Sequence, residues 1–353
     1  MDFPSAAAAA PRYRPLSAHY AQRFGCKVYK VTVSVAETCP NRQGQGGSRV
    51  CIFCDAWGAA AHPRHAAAPL RAQIEANMAP LRTRYGAQKF LVYFQAYTNT
   101  FARLATLERL FDEALQVPDV VGLVIGTRPD CLPPRTVALL EQMARHTYVG
   151  VELGVQTLDD VQLRWLSRMH DAACSLRAME TLLRHARLDV CAHLMFGLPG
   201  ETPAQLARTA ARLSALGVHG VKLHNLHVLR NTPLAGMYEQ RLFTPVDLAI
   251  YTERVIGFLE HLSPRVAVHR LSAVASRWDE VLAPDWVRHK LAPAMFILGR
   301  MAERDTWQGR AAGGTRAQLA APIPHRTAGP ADAAAQSVPA TCSPVEEVRS
   351  TLA

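Results

Sequence analysis

Seven stretches of the chain are continuously apolar or β-branched: 28–35 (VYKVTVSV), 90–95 (FLVYFQ), 120–126 (VVGLVIG), 147–153 (TYVGVEL), 190–196 (VCAHLMF), 218–226 (VHGVKLHNL) and 266–271 (VAVHRL). Segments of helical periodicity lie between them. In 103–115 the apolar residues fall at 104, 107, 110, 111 and 115, and similar patterns occupy 134–145, 174–187, 203–216 and 245–262. Short apolar runs alternating with helices of this pitch are βαβ units, which predict a parallel sheet covered by helices. Six or seven units suggest a full or partial (β/α) barrel, whose functional residues follow the C-terminal ends of the strands. The predicted fold class is α/β: a partial parallel barrel with six core strands over 12–244. An α/β extension over 245–310 adds one strand and two helices. Residues 1–11 are Ala-rich and 311–353 rich in Ala, Pro and Gly; both are expected to be disordered, because they offer too little apolar surface to offset ordering entropy.

Composition narrows the class. Hydrophobic residues make up 49% of the 353 and charged residues 19%, as in a globular protein. Every long apolar run is interrupted by Arg, His or Asp, so no membrane span of roughly 20 residues is expected. The first residues lack the basic and Leu-rich regions of a secretory signal. The formal charge of +10 lies almost wholly before residue 310 and favours polyanionic partners. Eight Cys at irregular spacing in a long chain argue for a reducing compartment, hence the cytoplasm, and for a metal site. Signatures of a P-loop NTPase, a dinucleotide enzyme, a zinc protease or a serine hydrolase are missing.

The strongest local signal is CPNRQGQGGSRVCIFC, residues 39–54, directly after the first strand. Cys51 and Cys54 on one turn can chelate one metal centre, and the Gly-rich stretch 44–47 lets the loop return Cys39 to them. Thiolates select zinc or iron–sulfur. Structural zinc wants four closed ligands, which His62 or His65 would have to complete. A [4Fe–4S] cluster on three Cys leaves one iron open. Three ordinary buried thiols are the third possibility. Cys26, Cys131, Cys174 and Cys191 show no paired spacing and read as buried thiols.

Other candidates sit at strand ends. Gln95, Tyr97, Thr98 and Asn99 close the second strand, or Thr98 and Asn99 cap a helix near 101. Thr127 and Arg128 follow the third strand, where Arg128 pairs with a ligand carboxylate or phosphate or with Asp130. Glu152 and Gln156 share a parity at the end of the fourth, and a Glu aimed into a barrel needs a positive or donating partner. The GLPGE turn, 197–201, closes the fifth. Lys222, His224 and His269, with His193 and His227, ring the late strands, where they could contact a polyanion or move protons.

Together these strings resemble the radical S-adenosylmethionine (SAM) superfamily, and within it the YhcC-type subgroup, similar to the radical SAM domain of the Elongator catalytic subunit. The likeness runs over 12–310 through the Cys loop with its CPNR start, YFQAYTNT (93–100), IGTRPDCLP (125–133), VELGVQT (151–157), GLPGET (197–202), LHVLRNTPL (226–234), HRL (269–271) and TWQG (306–309). The sequence departs from the subgroup at 44–50 and at 272–276. The resemblance implies a [4Fe–4S] cluster on Cys39, Cys51 and Cys54, whose open iron chelates SAM. It implies reductive cleavage to a 5′-deoxyadenosyl radical that abstracts hydrogen from the substrate. It places Gln95, Tyr97, Thr98, Asn99, Thr127, Arg128, Glu152 and Gln156 around SAM, and Lys222, His224 and His269 toward the substrate. A flavodoxin- or ferredoxin-type electron donor is implied. The expected substrate is a tRNA wobble-uridine side chain, already present and remodelled, since the residues after 310 are too few for an acetyltransferase half. The alternatives are a small metabolite or cofactor precursor and, more distantly, a zinc-bound nucleic-acid-binding protein without catalysis.

Overall fold

The computed structural model describes residues 11–36, 39–42, 50–55, 58, 68–275 and 277–323. Seven parallel strands form one sheet: β1 (Val28–Val33), β2 (Lys89–Phe94), β3 (Val120–Thr127), β4 (Tyr148–Gln156), β5 (Leu188–Phe196), β6 (Gly220–Asn225) and, after the two-residue β7 (Val228–Leu229), β8 (Ala267–Val268). They lie in the order β1-β2-β3-β4-β5-β6-β8, each beside its predecessor in the sheet. The sheet curls into a half-barrel, and no ladder joins β8 to β1 among the described residues. All seven apolar stretches of the sequence are strands of this sheet. The seventh belongs to the extension, as expected, but only two of its residues pair.

Helices cover the convex face: α1 (Leu16–Phe24), α2 (Leu70–Tyr85), α3 (Leu104–Leu115), α4 (Pro134–Ala144), α5 (Asp160–Trp165), α6 (Ala172–Leu183), α7 (Pro203–Leu216), α8 (Pro233–Glu239), α9 (Leu248–His261), α10 (Ala292–Glu303) and α11 (Arg316–Ala320). Of these, α8 instead packs at the C-terminal end of the strands through Leu234, and α1 plugs the N-terminal mouth of the half-barrel, where Tyr20 and Phe24 pack edge-on against Tyr148. Five helices went unread in the sequence: α1, α2 and the short α5, α8 and α11. α2 carries a proline, Pro80, and places the polar Gln73 on its buried face beside Leu70, Ile74 and Met78.

Period-two alternation gives the sheet two unlike faces. Val31, Val92, Ile125, Val151, Val190, Val221 and Leu223 point to the helices and form the main core. The intervening positions, Lys30, Tyr93, Glu152, Cys191, Lys222 and His224, point into the concavity. A second core of Ile52, Leu166, Met195, Leu198, Leu226, Leu234 and Phe243 lies at the C-terminal end of the strands.

The expected boundary at residue 310 is displaced, because the chain continues as described structure to residue 323. Buried Arg14 explains this. Its Nε donates to the Pro264 carbonyl at 2.8 Å, and its Nη2 to the carbonyls of Gln318 and Ala321 at 2.5 and 2.8 Å. Leu319 is buried beside it. The TWQG string serves the same clasp. The amide of Gln308 donates to Ser263 and Val266 carbonyls, and its Oε1 accepts from the Arg14 backbone N–H. Residues 1–10 and 324–353 lie outside the described residues.

Candidate functional site

Cys39, Cys51 and Cys54 follow β1 at the C-terminal end of the sheet. Cys51 and Cys54 share a turn closed by Cys54 N–H donating to the Cys51 carbonyl at 2.9 Å. Ile52 fixes that turn. Its N–H donates to the Leu166 carbonyl at the end of α5, and its carbonyl accepts from Leu234 N–H in the first turn of α8. Burying an Ile side chain contributes roughly 1.5–3 kcal/mol to holding the turn in place.

Polar hydrogens converge on the thiol sulfurs. Asn41 Nδ2 lies 3.1 Å from Cys51 Sγ, Arg168 Nη1 3.5 Å from the same sulfur, and Arg42 Nη2 3.6 Å from Cys54 Sγ. These donors are themselves held. Arg168 Nη2 donates to the Gly154 carbonyl at 2.8 Å, and Arg128 Nη1 to Asn41 Oδ1 at 2.6 Å. Burial pushes the Cys54 thiol up to about 11, a rise reinforced by Cys51 and Cys39 and opposed by Arg42. Such a thiol ionises when a cation replaces its proton. Cys51 and Cys54 on one turn, with N–H donors to both and Cys39 near enough to raise the Cys54 thiol, suit a cluster held by three Cys and left open at one corner. They suit a closed four-ligand zinc site poorly. His62 and His65 lie outside the described residues.

Arg128 takes the second of its two expected roles. It makes a fork with Asp130 at 2.8 and 2.6 Å and donates to the Arg168 carbonyl, so it braces the Cys loop from behind. Asn99 does not cap a helix, since α3 starts at Leu104 after Arg103. Its amide nitrogen instead donates to the carbonyls of Phe94, Ala96 and Gly126, stitching the ends of β2 and β3. Thr98 is buried in the same turn. Thr127 pairs through its hydroxyl with Thr100. Tyr97, at a left-handed φ of 58°, sits against Gly58, where a Cβ would come within 2.4 Å of the ring, and Arg42 stacks over it at 5.4 Å. Gln95 is half-buried at the end of β2. Gln156 ends β4 with φ 67°, and its Oε1 is buried without a hydrogen-bond partner.

Deeper in the concavity lies a charged layer. Glu152, buried in mid-strand rather than at the strand end, accepts from Lys222 Nζ at 2.7 Å and from Lys30 Nζ, and lies 3.2 Å from His269 Nδ1. Lys222 also donates to Tyr93 Oη at 2.9 Å. Burial alone would raise the Glu152 pKa; Lys222, Lys30 and His269 outweigh it and hold the carboxyl well below its usual range. Burial brings Lys222 down to about 8 against the pull of Glu152. It brings His269 down to about 4, so that imidazole is neutral and donates from Nδ1. The His269 ring fits because residue 220 is Gly, where a Cβ would lie 2.5 Å from Nε2. Lys222 and His269 are thus committed to Glu152, and the expected positive partner of that Glu is a pair of lysines from β1 and β6.

His224 stands apart from the other two substrate candidates. It forms a ladder with His193 and His227, with centroids 5.5 and 5.1 Å apart, at the open end of β5 and β6. His224 and His227 both donate from Nδ1 to the Asn225 carbonyl, at 2.8 and 3.2 Å, which leaves each Nε2 an acceptor. Burial, with Arg270 adding to it, keeps all three below the ordinary histidine value. The GLPGE turn is held from below: Glu201 accepts from Gly197 N–H and pairs with Arg254 at 2.7 Å, while Thr202 caps α7.

Asn41, Lys30, Tyr93, Arg168 and Arg270 were missed in the sequence. Lys30 had a visible signal, a lone charge within VYKVTV. Asn41 stands in the CPNR string. Arg270 stands in the HRL string and Tyr93 opens YFQAYTNT; Arg168 had no local signal.

The model for the radical SAM superfamily matches residues 33–213, and that for the radical SAM C-terminal domain matches 218–303. The chain belongs to the radical SAM superfamily. Protein YhcC of Escherichia coli is 37% identical over 293 residues, covering 83% of this chain and 93% of that protein. A tRNA uridine(34) acetyltransferase of Dehalococcoides mccartyi is 31% identical over 154 residues, which are 43% of this chain and 33% of that one. The archaeal Elp3 of Methanocaldococcus infernus superposes with a TM-score of 0.59 at 18% identity, over 80% of this chain and 64% of the other, a likeness of fold. As a radical SAM enzyme the protein uses a [4Fe–4S] cluster and SAM. None of its described helices is long and apolar enough to cross a membrane.

Proposed function

We propose that Cys39, Cys51 and Cys54 hold the [4Fe–4S] cluster and that the concavity beyond them holds SAM and the side chain of a tRNA uridine. The observation that carries the first part is the pair Cys51 and Cys54 on one turn, met by N–H donors from Asn41, Arg42 and Arg168, with Cys39 near enough to raise the Cys54 thiol. When bound, the cluster and SAM supply a 5′-deoxyadenosyl radical that abstracts hydrogen from the substrate. The chain's own residues orient and shield. Gln156 Oε1, an unmatched buried acceptor, takes a hydroxyl or ammonium hydrogen of SAM. Gln95 and the Tyr97–Asn99 turn line the same rim, and Asn99 and Thr127 keep it rigid through carbonyl and hydroxyl contacts. Arg128 acts at one remove by fixing Asn41. Glu152, Lys222 and His269 form a fixed charge layer beneath the reactants, and His224 Nε2 is the acceptor facing the substrate.

The tRNA reading is supported by the partial likeness to tRNA uridine(34) acetyltransferases and by the +10 charge. The reaction runs in the cytoplasm with an electron donor of the flavodoxin or ferredoxin class. Nucleoside profiling of tRNA from a deletion strain tests the substrate. A changed wobble uridine, with tRNA binding that weakens steeply as salt rises, supports it. Unchanged tRNA and no salt-dependent binding would move the substrate to a small metabolite.

A further inference from the structure

The cations of the concave face outnumber its anions. Lys30, Lys222 and Arg270 all lie on the concave side, and Glu152 is the one carboxylate among the described residues that faces this layer. Glu152 is shared by the two lysines. Asp189, one layer lower, is taken by His19 at 2.8 Å. Arg270 has no carboxylate within salt-bridge range. Its Nε donates to the Leu223 carbonyl at 3.0 Å, and its Nη2 lies 3.4 Å from His193 Nε2. Nη1 has no hydrogen-bond partner among the described residues. A half-buried guanidinium whose nearest carboxylate, Glu152, acts only from beyond contact and already serves two lysines is costly unless a further anion joins it.

Its neighbours suit an anion. With Nε2 facing the Arg270 N–H, His193 carries its own hydrogen on Nδ1 and is a neutral donor. Tyr93 and Tyr251 near Arg270 remain protonated, since burial raises both. Arg270, His193 and His224 are half-buried rather than sealed, so they present atoms to the open concavity.

We propose that the concave face carries a site for an oxyanion of the substrate, a carboxylate or a phosphate, with Arg270 as its charge partner and His193 as a donor beside it. This rests on the proposed substrate position and narrows it: the reacting molecule brings a negative group to the end of β5, β6 and β8. It is a binding role, distinct from the sulfur-facing Arg42 and Arg168.

The test is isothermal titration of the anaerobically reconstituted full chain with malonate and, separately, inorganic phosphate at low salt and near-neutral pH. One equivalent of at least one probe should bind, and Arg270→Gln should weaken it at least about tenfold, as expected of a hydrogen bond to a charged group. Binding of malonate alone makes the source a carboxylate; binding of phosphate alone makes it a phosphate. Saturating SAM should leave the site available. Loss of binding with SAM present would assign the anion to SAM's own carboxylate and overturn the inference. Failure of both probes to bind, or equal binding by Arg270→Gln, would also overturn it. Should Arg270→Gln not fold, His193→Phe, which keeps the charge and removes the donor, is read the same way. The titration reads binding alone. A chain that binds the probe but releases no 5′-deoxyadenosine keeps the anion site and loses the proposed reaction.

Discussion

Replacing Glu152 by Gln removes one buried negative charge and leaves two buried ammonium groups facing each other. The side chains of Glu152, Lys222 and Lys30 are 2%, 10% and 16% exposed, so water screens little of the change. At the 2.7 Å Glu152–Lys222 separation, Coulomb's law with an effective dielectric near 20 gives a gross attraction of about 6 kcal/mol. The Lys30 contact adds to it, and the cost of desolvating three ions opposes it. Removing one partner of a buried pair costs about 3–5 kcal/mol, because the remaining charge is left uncompensated. Glu152→Gln keeps shape and one acceptor, so the loss should fall in that range. Lys222→Met should cost less, because Glu152 retains Lys30. Glu152→Gln with Lys222→Met should recover part of the loss of Glu152→Gln alone. Urea unfolding of the four proteins, followed by circular dichroism, measures all three differences. A Glu152→Gln protein within about 1 kcal/mol of the parent would refute the charged layer, since that is what an exposed pair contributes. So would a double variant showing no recovery.

Stability should fall as the solution is acidified from about pH 6.5 toward 4. Burial lowers His227 and His269 to about 4, so below the ordinary histidine value the unfolded chain takes up protons that the folded chain refuses. Each contributes on the order of 3 kcal/mol over that window, and thermal melts across it should show a steady drop; a flat profile contradicts the burial. Asn41→Leu removes an N–H donor from Cys51 Sγ, which should disfavour the reduced cluster and lower its midpoint potential by tens of millivolts in a redox titration. Gly58→Ala forces a Cβ into the Tyr97 ring at a left-handed φ of 59°, and should reduce iron incorporation on reconstitution while leaving the far-UV spectrum unchanged.

The sheet was legible because a strand buried on both faces is a run of apolar residues, and seven such runs stand out. The helices that escaped notice each lack one part of the signal: α5, α8 and α11 are too short to show a period, α2 contains Pro80 and a buried Gln73, and α1 packs against the barrel mouth through Tyr20 and Phe24 rather than a broad face. The Cys loop was legible because its ligands are close in sequence. The charged layer was half legible. Glu152, Lys222 and His269 were each picked out, but their union was not, since they come from β4, β6 and the end of β8 and only the curl of the sheet brings them together. Arg168 shows the limit most clearly. Its guanidinium reaches Cys51 from the segment after α5, 117 positions away along the chain, and no spacing rule connects the two. The reach of the folded chain to residue 323 has the same origin, a contact between Arg14 and carbonyls about three hundred positions on.

The most direct test of the whole account is anaerobic reconstitution with iron and sulfide, then dithionite reduction with SAM, comparing the parent with Cys51→Ala. The account predicts about four irons per chain, as one cubane cluster requires, and 5′-deoxyadenosine from the parent that is lost in the variant. A colourless protein holding a single zinc, with SAM left intact, would contradict it.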